Sequence, residues 1–151
     1  MNMKQLNRTQ TALMFAGGLT MVVCAALVMA FTLYIDSPIA VTVLKVVPWL
    51  FIVGAILFAI MQHAQRYEGR NLTIMRLKGI QALSGLCFVA AGLLMAENFC
   101  RIIEPYVVND LDSYMMYCQI VKNNWVVATL IGAILQIYTT HRLTSELEKE
   151  S

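Results

Sequence analysis

Four stretches free of Asp, Glu, Lys and Arg organise the chain: residues 9–35, 46–65, 79–96 and 123–141. Each is dominated by Leu, Ile, Val, Met, Phe and Ala. A spanning helix needs roughly 17–25 apolar residues, so each stretch can cross a membrane once and none can cross twice. Strands of a closed barrel would alternate over about ten residues, and runs such as Phe51-Ile52-Val53-Gly54-Ala55-Ile56-Leu57 do not alternate. Over these lengths only helices satisfy the backbone in lipid. The pattern predicts an all-α integral membrane protein, a four-transmembrane-helix up-down bundle forming one domain over 1–151. Its spans are expected at about 11–34, 44–65, 77–97 and 123–141.

The connections are unequal. Tyr67-Glu68-Gly69-Arg70-Asn71 reads as a helix end, a Gly C-cap and an Asn N-cap. The second helix is therefore expected to reach about Tyr67 and the third to start near Leu72, in a tight hairpin with its tip at 66–76. The fourth helix continues through His141-Arg142-Leu143 into a tail at 142–151. Residues 35–44 make one short loop. The other loop, 98–122, is larger and is interrupted by Pro105. Within it Leu111, Tyr114, Met115, Cys118 and Val121 recur at helical spacing. That spacing predicts a short amphipathic helix lying on the membrane face or capping the bundle.

Composition agrees. The 151 residues are 59% hydrophobic and 13% charged, against about 45–50% apolar and about 25% charged in a soluble domain. So short a chain cannot hide this much apolar surface in one globule, and disorder needs the opposite composition. A net charge of +2 without a basic run argues against a nucleic-acid partner.

Charge placement carries more than its total. Lys4, Arg8, Arg66, Arg70, Arg76, Lys78, Arg142 and Lys149 share one side of the membrane, while Lys45, Arg101 and Lys122 take the other. Excess Lys and Arg marks the cytoplasmic side, so both termini and the hairpin tip are expected there, in a bacterial inner membrane or a plasma membrane. Asp36, Glu97, Glu104, Asp110 and Asp112 fall outside, beside Trp49, Trp125, Tyr34, Tyr106, Tyr114 and Tyr117. The first apolar stretch is longer than a signal-peptide core, and Val23 before Cys24 does not suit lipoprotein processing.

An internal repeat is also visible. Gly54-Ala55-Ile56-Leu57 recurs as Gly132-Ala133-Ile134-Leu135, with His63 on His141 and Glu68 on Glu146. Gly18-Leu19 aligns on Gly85-Leu86, Val22 on Val89 and Leu27 on Leu94. Either the chain is a duplicated helical hairpin, its copies related by an axis along the membrane normal, or a restricted alphabet has produced the match.

Few residues suggest chemistry. Cys100 and Cys118 bracket the long outer loop; as a disulfide they would contribute about 3 kcal/mol by loop entropy, and as thiols they could do redox work. Four helices with outward cysteines resemble the layout of quinone-coupled disulfide-forming membrane proteins and the vitamin K epoxide reductase family. Those families carry a Cys-x-x-Cys pair near the membrane, which this chain lacks. Cys24 and Cys87 lie inside spans, where cysteine behaves as a small apolar residue. Lys45 and Glu97 stand at outer helix ends, placed for interfacial anchoring or for an ion pair.

No span holds a mid-membrane charge, including the first, where small proton-coupled drug exporters place a carboxylate. Gln81, Gln136 and Thr20 are the deepest polar side chains, expected in interhelical hydrogen bonds or a polar cavity. His63 and His141 lack the companion ligands a metal would need. Small residues stand out instead: Ala12-x3-Ala16, Ala26-x3-Ala30, Gly92-x3-Ala96 and Ala128-x3-Gly132, together with Gly17, Gly18 and Gly54. They serve packing inside the bundle or a surface for another membrane protein.

No catalytic residue, cofactor or metal ligand emerges, and these residues match no family's motifs. The expected function is that of a non-catalytic subunit or accessory of a membrane assembly. Its partners would be the lipid bilayer and another membrane protein or a second copy. The alternatives are a thiol-disulfide oxidoreductase using Cys100 and Cys118, and a small transporter or lipid-handling protein.

Overall fold

The computed structural model describes residues 8–65, 69–122 and 124–150. Lys4, Arg66, Tyr67 and Glu68, used above for orientation, the hairpin tip and the repeat, lie outside the described residues. Six helices follow one another: α1 (Arg8–Thr32), α2 (Pro38–Ala64), α3 (Leu72–Cys100), α4 (Glu104–Val107), α5 (Leu111–Val121) and α6 (Asn124–Glu150). No strand occurs among the described residues. Four helices are long and apolar enough to cross a membrane. Large apolar side chains such as Phe15, Val53, Leu86, Ile134 and Ile137 are exposed on their outer faces. A water-soluble monomer rarely exposes so much contiguous apolar surface.

Local chemistry sets the helix ends. Pro38 opens α2, its fixed φ and missing N–H suiting the first turn. The chain leaves α2 at Gln65, which is extended and donates its N–H to the Gln62 carbonyl. This helix ends before Tyr67, and Gly69, which has no positive φ, is not its cap. The Asn71 side chain accepts the Thr73 N–H at 2.9 Å and caps α3. Asp110 caps α5 in the same way, accepting the Ser113 N–H at 2.7 Å. At the far end of α3, Arg101 takes the left-handed conformation, φ 52°, the one positive φ at a non-glycine residue among those described.

The helices touch in the order α1–α2–α3–α6. Among the described residues α1 approaches only α2, and α6 approaches only α3 and α5, so the side between α1 and α6 stays open. This differs from the closed ring an up-down bundle implies. One apolar core nevertheless joins all four, with Met21, Cys24 and Val28 from α1, Phe51 and Ala55 from α2, Phe88 and Met95 from α3, and Trp125 from α6. A smaller cluster of Ile74, Leu77 and Leu143 fastens α3 to α6 at the Lys- and Arg-rich end.

Glycines allow the close crossings. A Cβ on Gly17 would stand 2.8 Å from the Gly54 carbonyl oxygen, which no real side chain tolerates. A Cβ on Gly92 would stand 2.7 Å from Ile52 Cγ1, and one on Gly132 would stand 3.1 Å from the Phe88 ring. The α3–α6 crossing repeats the α1–α2 crossing in register. Where Gly17 meets the Gly54 carbonyl, Ser84 stands opposite Gly132 and donates its hydroxyl to the Gly132 carbonyl at 2.8 Å.

Candidate functional site

Helix α3 carries a charge near each end, and each has built a site around itself. Glu97 lies in the last turn of α3 and is only 6% exposed. Because Arg101 turns the chain back through the left-handed region, the next backbone N–H groups point at the Glu97 side chain. Its carboxylate accepts from Ile102 N at 3.0 Å, from Ile103 N at 2.9 and 3.0 Å, and from Glu104 N at 3.1 Å. The Tyr117 hydroxyl, on α5, donates to it at 2.5 Å. One carboxylate thus seats the first turn of α4 and ties α5 down onto α3. Burial, with the Glu97 hydrogen bond and charge added, pushes the Tyr117 phenol well above the usual range. Above this knot sits a cavity of about 420 Å³, lined in part by Ile103, Val107, Asp112, Met116 and Tyr117.

Glu97 and Lys45, placed for interfacial anchoring or an ion pair, do not form the pair. Backbone amides lie closer in the chain and need no long side chain to be ordered, so they take the carboxylate first. Lys45 is exposed, and its carbonyl oxygen receives the Cys100 thiol at 3.5 Å. The expected Cys100–Cys118 bond is likewise absent, and all four cysteines are thiols. Cys100 faces α2, whereas Cys118 sits on α5 beside Tyr114, whose phenol is raised by its hydrogen bond to the Cys118 thiol. The two sulfurs are thus engaged by different elements. On the exposed start of α5, the Asp110 carboxyl is held below the usual carboxylate range by its hydrogen bonds with Ser113.

At the other end of α3, Lys78 turns toward α2. Its ammonium donates to the Gln62 carbonyl at 3.3 Å and to Gln81 Oε1 at 3.0 Å. Beside it a groove of about 690 Å³ runs between the two helices. Gln62, His63, Gln65, Lys78 and Gln81 make its polar part, and Ile60, Met75, Leu86 and Val89 are among its apolar lining. On α3 the bare wall is Gly79 and Ala82, while Gly85, also in the lining, lies close against Ala59 of α2. A Cβ on Gly79 would meet nothing within 4 Å.

The remaining singled-out residues are dispersed. Gln81 and Gln136 do not share a cavity with Thr20: Gln136 Oε1 accepts from Ser84 at 3.1 Å, and Thr20 bonds the Ala16 carbonyl within its own helix. His63 lines the groove, while His141 is exposed on α6, which does not touch α2. Gly17, Gly54, Gly92 and Gly132 lie within helix crossings; Gly18 faces the Phe58 ring, Ala96 is buried and Ala128 packs against the core. Cys24 is a core residue, and Cys87 abuts Gly132. Ala12, Ala16, Ala26 and Ala30 stay exposed on α1. Among the described residues no three His, Cys, Asp or Glu side chains converge as a metal site would require.

Sequence reasoning did not single out Tyr117 or the groove. Tyr117 counted only as an interfacial aromatic. Lys78 counted only toward orientation, although the Gly79, Ala82 and Gly85 spacing beside it signals a face without side-chain bulk. Compared with family models, curated proteins and solved structures, this chain matches none.

Proposed function

We propose that this chain is a non-catalytic subunit or stabiliser of a larger membrane assembly, recruited through the outward face of α1. The observation that carries this reading is the contrast between two sets of small residues. Gly17, Gly54, Gly92 and Gly132 are consumed within the molecule's own crossings. Ala12, Ala16, Ala26 and Ala30 lie on α1 away from the Gly17, Met21, Cys24 and Val28 stripe that meets the core, and they remain exposed. Small residues at four-residue spacing let a second helix approach closely, where dispersion between backbones replaces contacts with lipid. Among the described residues helix α1 has only α2 as a neighbour, and none of them covers that face. The partner is another membrane protein or a second copy.

Three finer features belong to the same reading. The termini and the hairpin tip face the cytoplasm, as the Lys and Arg bias implies. Helix α5 lies along the outer membrane surface, which its exposed Leu111, Met115 and Met116 support. The chain descends from a duplicated hairpin, a history supported by the matching Gly17–Gly54 and Ser84–Gly132 crossings. The thiol-oxidoreductase alternative has no comparable support, since Cys100 and Cys118 are engaged by different elements.

Site-specific photo-crosslinking tests the proposal. A photoreactive residue at position 16 or 30, activated in native membranes, is expected to give a discrete adduct that Ala26→Leu weakens. A protein that stays an uncrosslinked monomer from both positions overturns it. An impermeant thiol reagent that labels a cysteine placed at position 70 from outside the cell reverses the orientation.

A further inference from the structure

We propose that the groove between α2 and α3 binds one anionic phospholipid of the leaflet around it. Its phosphate rests on Lys78, and an acyl chain lies along Ile60, Leu86 and Val89.

The lining has the polarity of a lipid. Polar side chains gather around Lys78 where the spans begin, and apolar ones follow toward the membrane interior. The volume, about 690 Å³, would take roughly twenty waters at bulk density. Much of the wall is apolar and offers water too few partners, whereas an acyl chain fills the same space without loss. Among the described residues the lining contains no Asp or Glu and Lys78 is in no ion pair. An ammonium has three donors. Gln62 and Gln81 occupy two of them and hold the group over the groove instead of letting it extend into water. One donor and a full positive charge remain, matched to a phosphate oxygen. A zwitterionic headgroup would bring a second cation beside Lys78 and lose most of that advantage. Gly79 and Ala82 keep the α3 wall bare, so the chain can reach the helix backbone.

The test uses the full chain in phosphatidylcholine nanodiscs. The probes are phosphatidylglycerol and phosphatidylcholine carrying the same diazirine-labelled acyl chain. Labelling by phosphatidylglycerol is expected to map to the helix faces bearing Ile60, Ala82, Leu86 and Val89. It should exceed that by phosphatidylcholine about fivefold, as one favourable basic contact near the membrane surface implies. Lys78→Met should bring the two probes level, and Lys78→Arg should keep the preference. Gly79→Leu, whose side chain enters open space, should abolish labelling without lowering the melting temperature. Equal labelling by both lipids in the parent protein overturns the proposal. So does labelling that survives Gly79→Leu, or a protein–protein adduct across the groove in place of a lipid adduct. Full displacement of the probe by soluble glycerol 1-phosphate would make this a site for a free anion, which also overturns it.

Discussion

The two ends of α3 treat a charge in opposite ways. At Glu97 the protein supplies every partner itself: three backbone amides, the Tyr117 hydroxyl, and a turn shaped by Arg101 to aim the amides. At Lys78 the described residues supply two oxygens and no anion, although each charge lines a cavity, of about 690 Å³ at Lys78 and about 420 Å³ at Glu97. A charge enclosed by its own fold holds elements in place and has nothing left for a ligand. A charge held at the wall of a cavity, with a donor to spare, still has binding capacity. Burial differs in degree, Glu97 being buried and Lys78 half-buried, and the count of satisfied partners separates them in kind.

The largest effect is therefore expected at the closed end. Glu97→Ala removes the acceptor for several backbone donors at once and frees α5 from α3. Leaving one buried donor unpaired costs about 1–3 kcal/mol, and the outward side of this turn can recover some hydration, so the net loss should be about 3 kcal/mol. Thermal unfolding in detergent should show it, with Glu97→Gln intermediate because one oxygen remains. An unchanged melting temperature in Glu97→Ala would mean that the knot is decorative and that the contrast between the ends is false.

Next comes the α1–α2 crossing. Gly17→Val puts a branched side chain where even a Cβ would stand 2.8 Å from the Gly54 carbonyl oxygen. The nearest obstacle is backbone, which cannot rotate away as a side-chain end could, so α1 must move off α2. Overpacking of this kind costs about 2 kcal/mol. Loss of a cysteine crosslink engineered between α1 and α2 would report the displacement. A variant that keeps both the crosslink and the melting temperature would show that the crossing is looser than the distances imply.

How much of this was readable in advance depended on the kind of feature. The four spans followed from charge-free stretches, because lipid penalises charge along a whole helix. The start of α3 at Leu72 and the run of α6 past Arg142 were legible too, whereas the end of α2, at Ala64 and not near Tyr67, was not. Charge marks the edge of the lipid, whereas backbone hydrogen bonding continues past it. The open side between α1 and α6 was not readable either. Both faces of a lipid-embedded helix are apolar, so periodicity does not say which one meets protein. Glu97 was read as an interfacial anchor, with Lys45 as the alternative partner by sign of charge. Its partners are amides placed by a left-handed Arg101, which no residue type announces.

Tyr117 gives a smaller effect with a defined pH dependence. Tyr117→Phe removes one donor to Glu97, which should cost about 1.5 kcal/mol. Because the folded phenol ionises above its unfolded value, the contribution is complete below the ordinary phenol pKa. It is lost as pH rises from there through the raised value. Alkaline titration of tyrosinate absorbance should show a phenol ionising well above the usual range, and Tyr117→Phe should abolish that component. A phenol at position 117 that ionised in the ordinary range would mean that the carboxylate is shared with water and that this end is no more closed than the other.

The smallest effect belongs to the open end, where adding an atom should cost nothing. Gly79→Ala places a methyl group where nothing lies within 4 Å. Alanine also restricts the unfolded chain more than glycine does, and glycine inside a helix is unfavourable by roughly 0.5–1 kcal/mol. The variant should be as stable as the parent or up to about 1 kcal/mol more stable, the opposite sign from Gly17→Val. The pair separates the two uses of glycine in this protein. At Gly17 the missing side chain admits a neighbouring backbone, and at Gly79 it leaves room beside Lys78. If Gly79→Ala destabilised the protein in lipid-free detergent, α2 and α3 would have to be closed against each other there, and Lys78 would be as enclosed as Glu97.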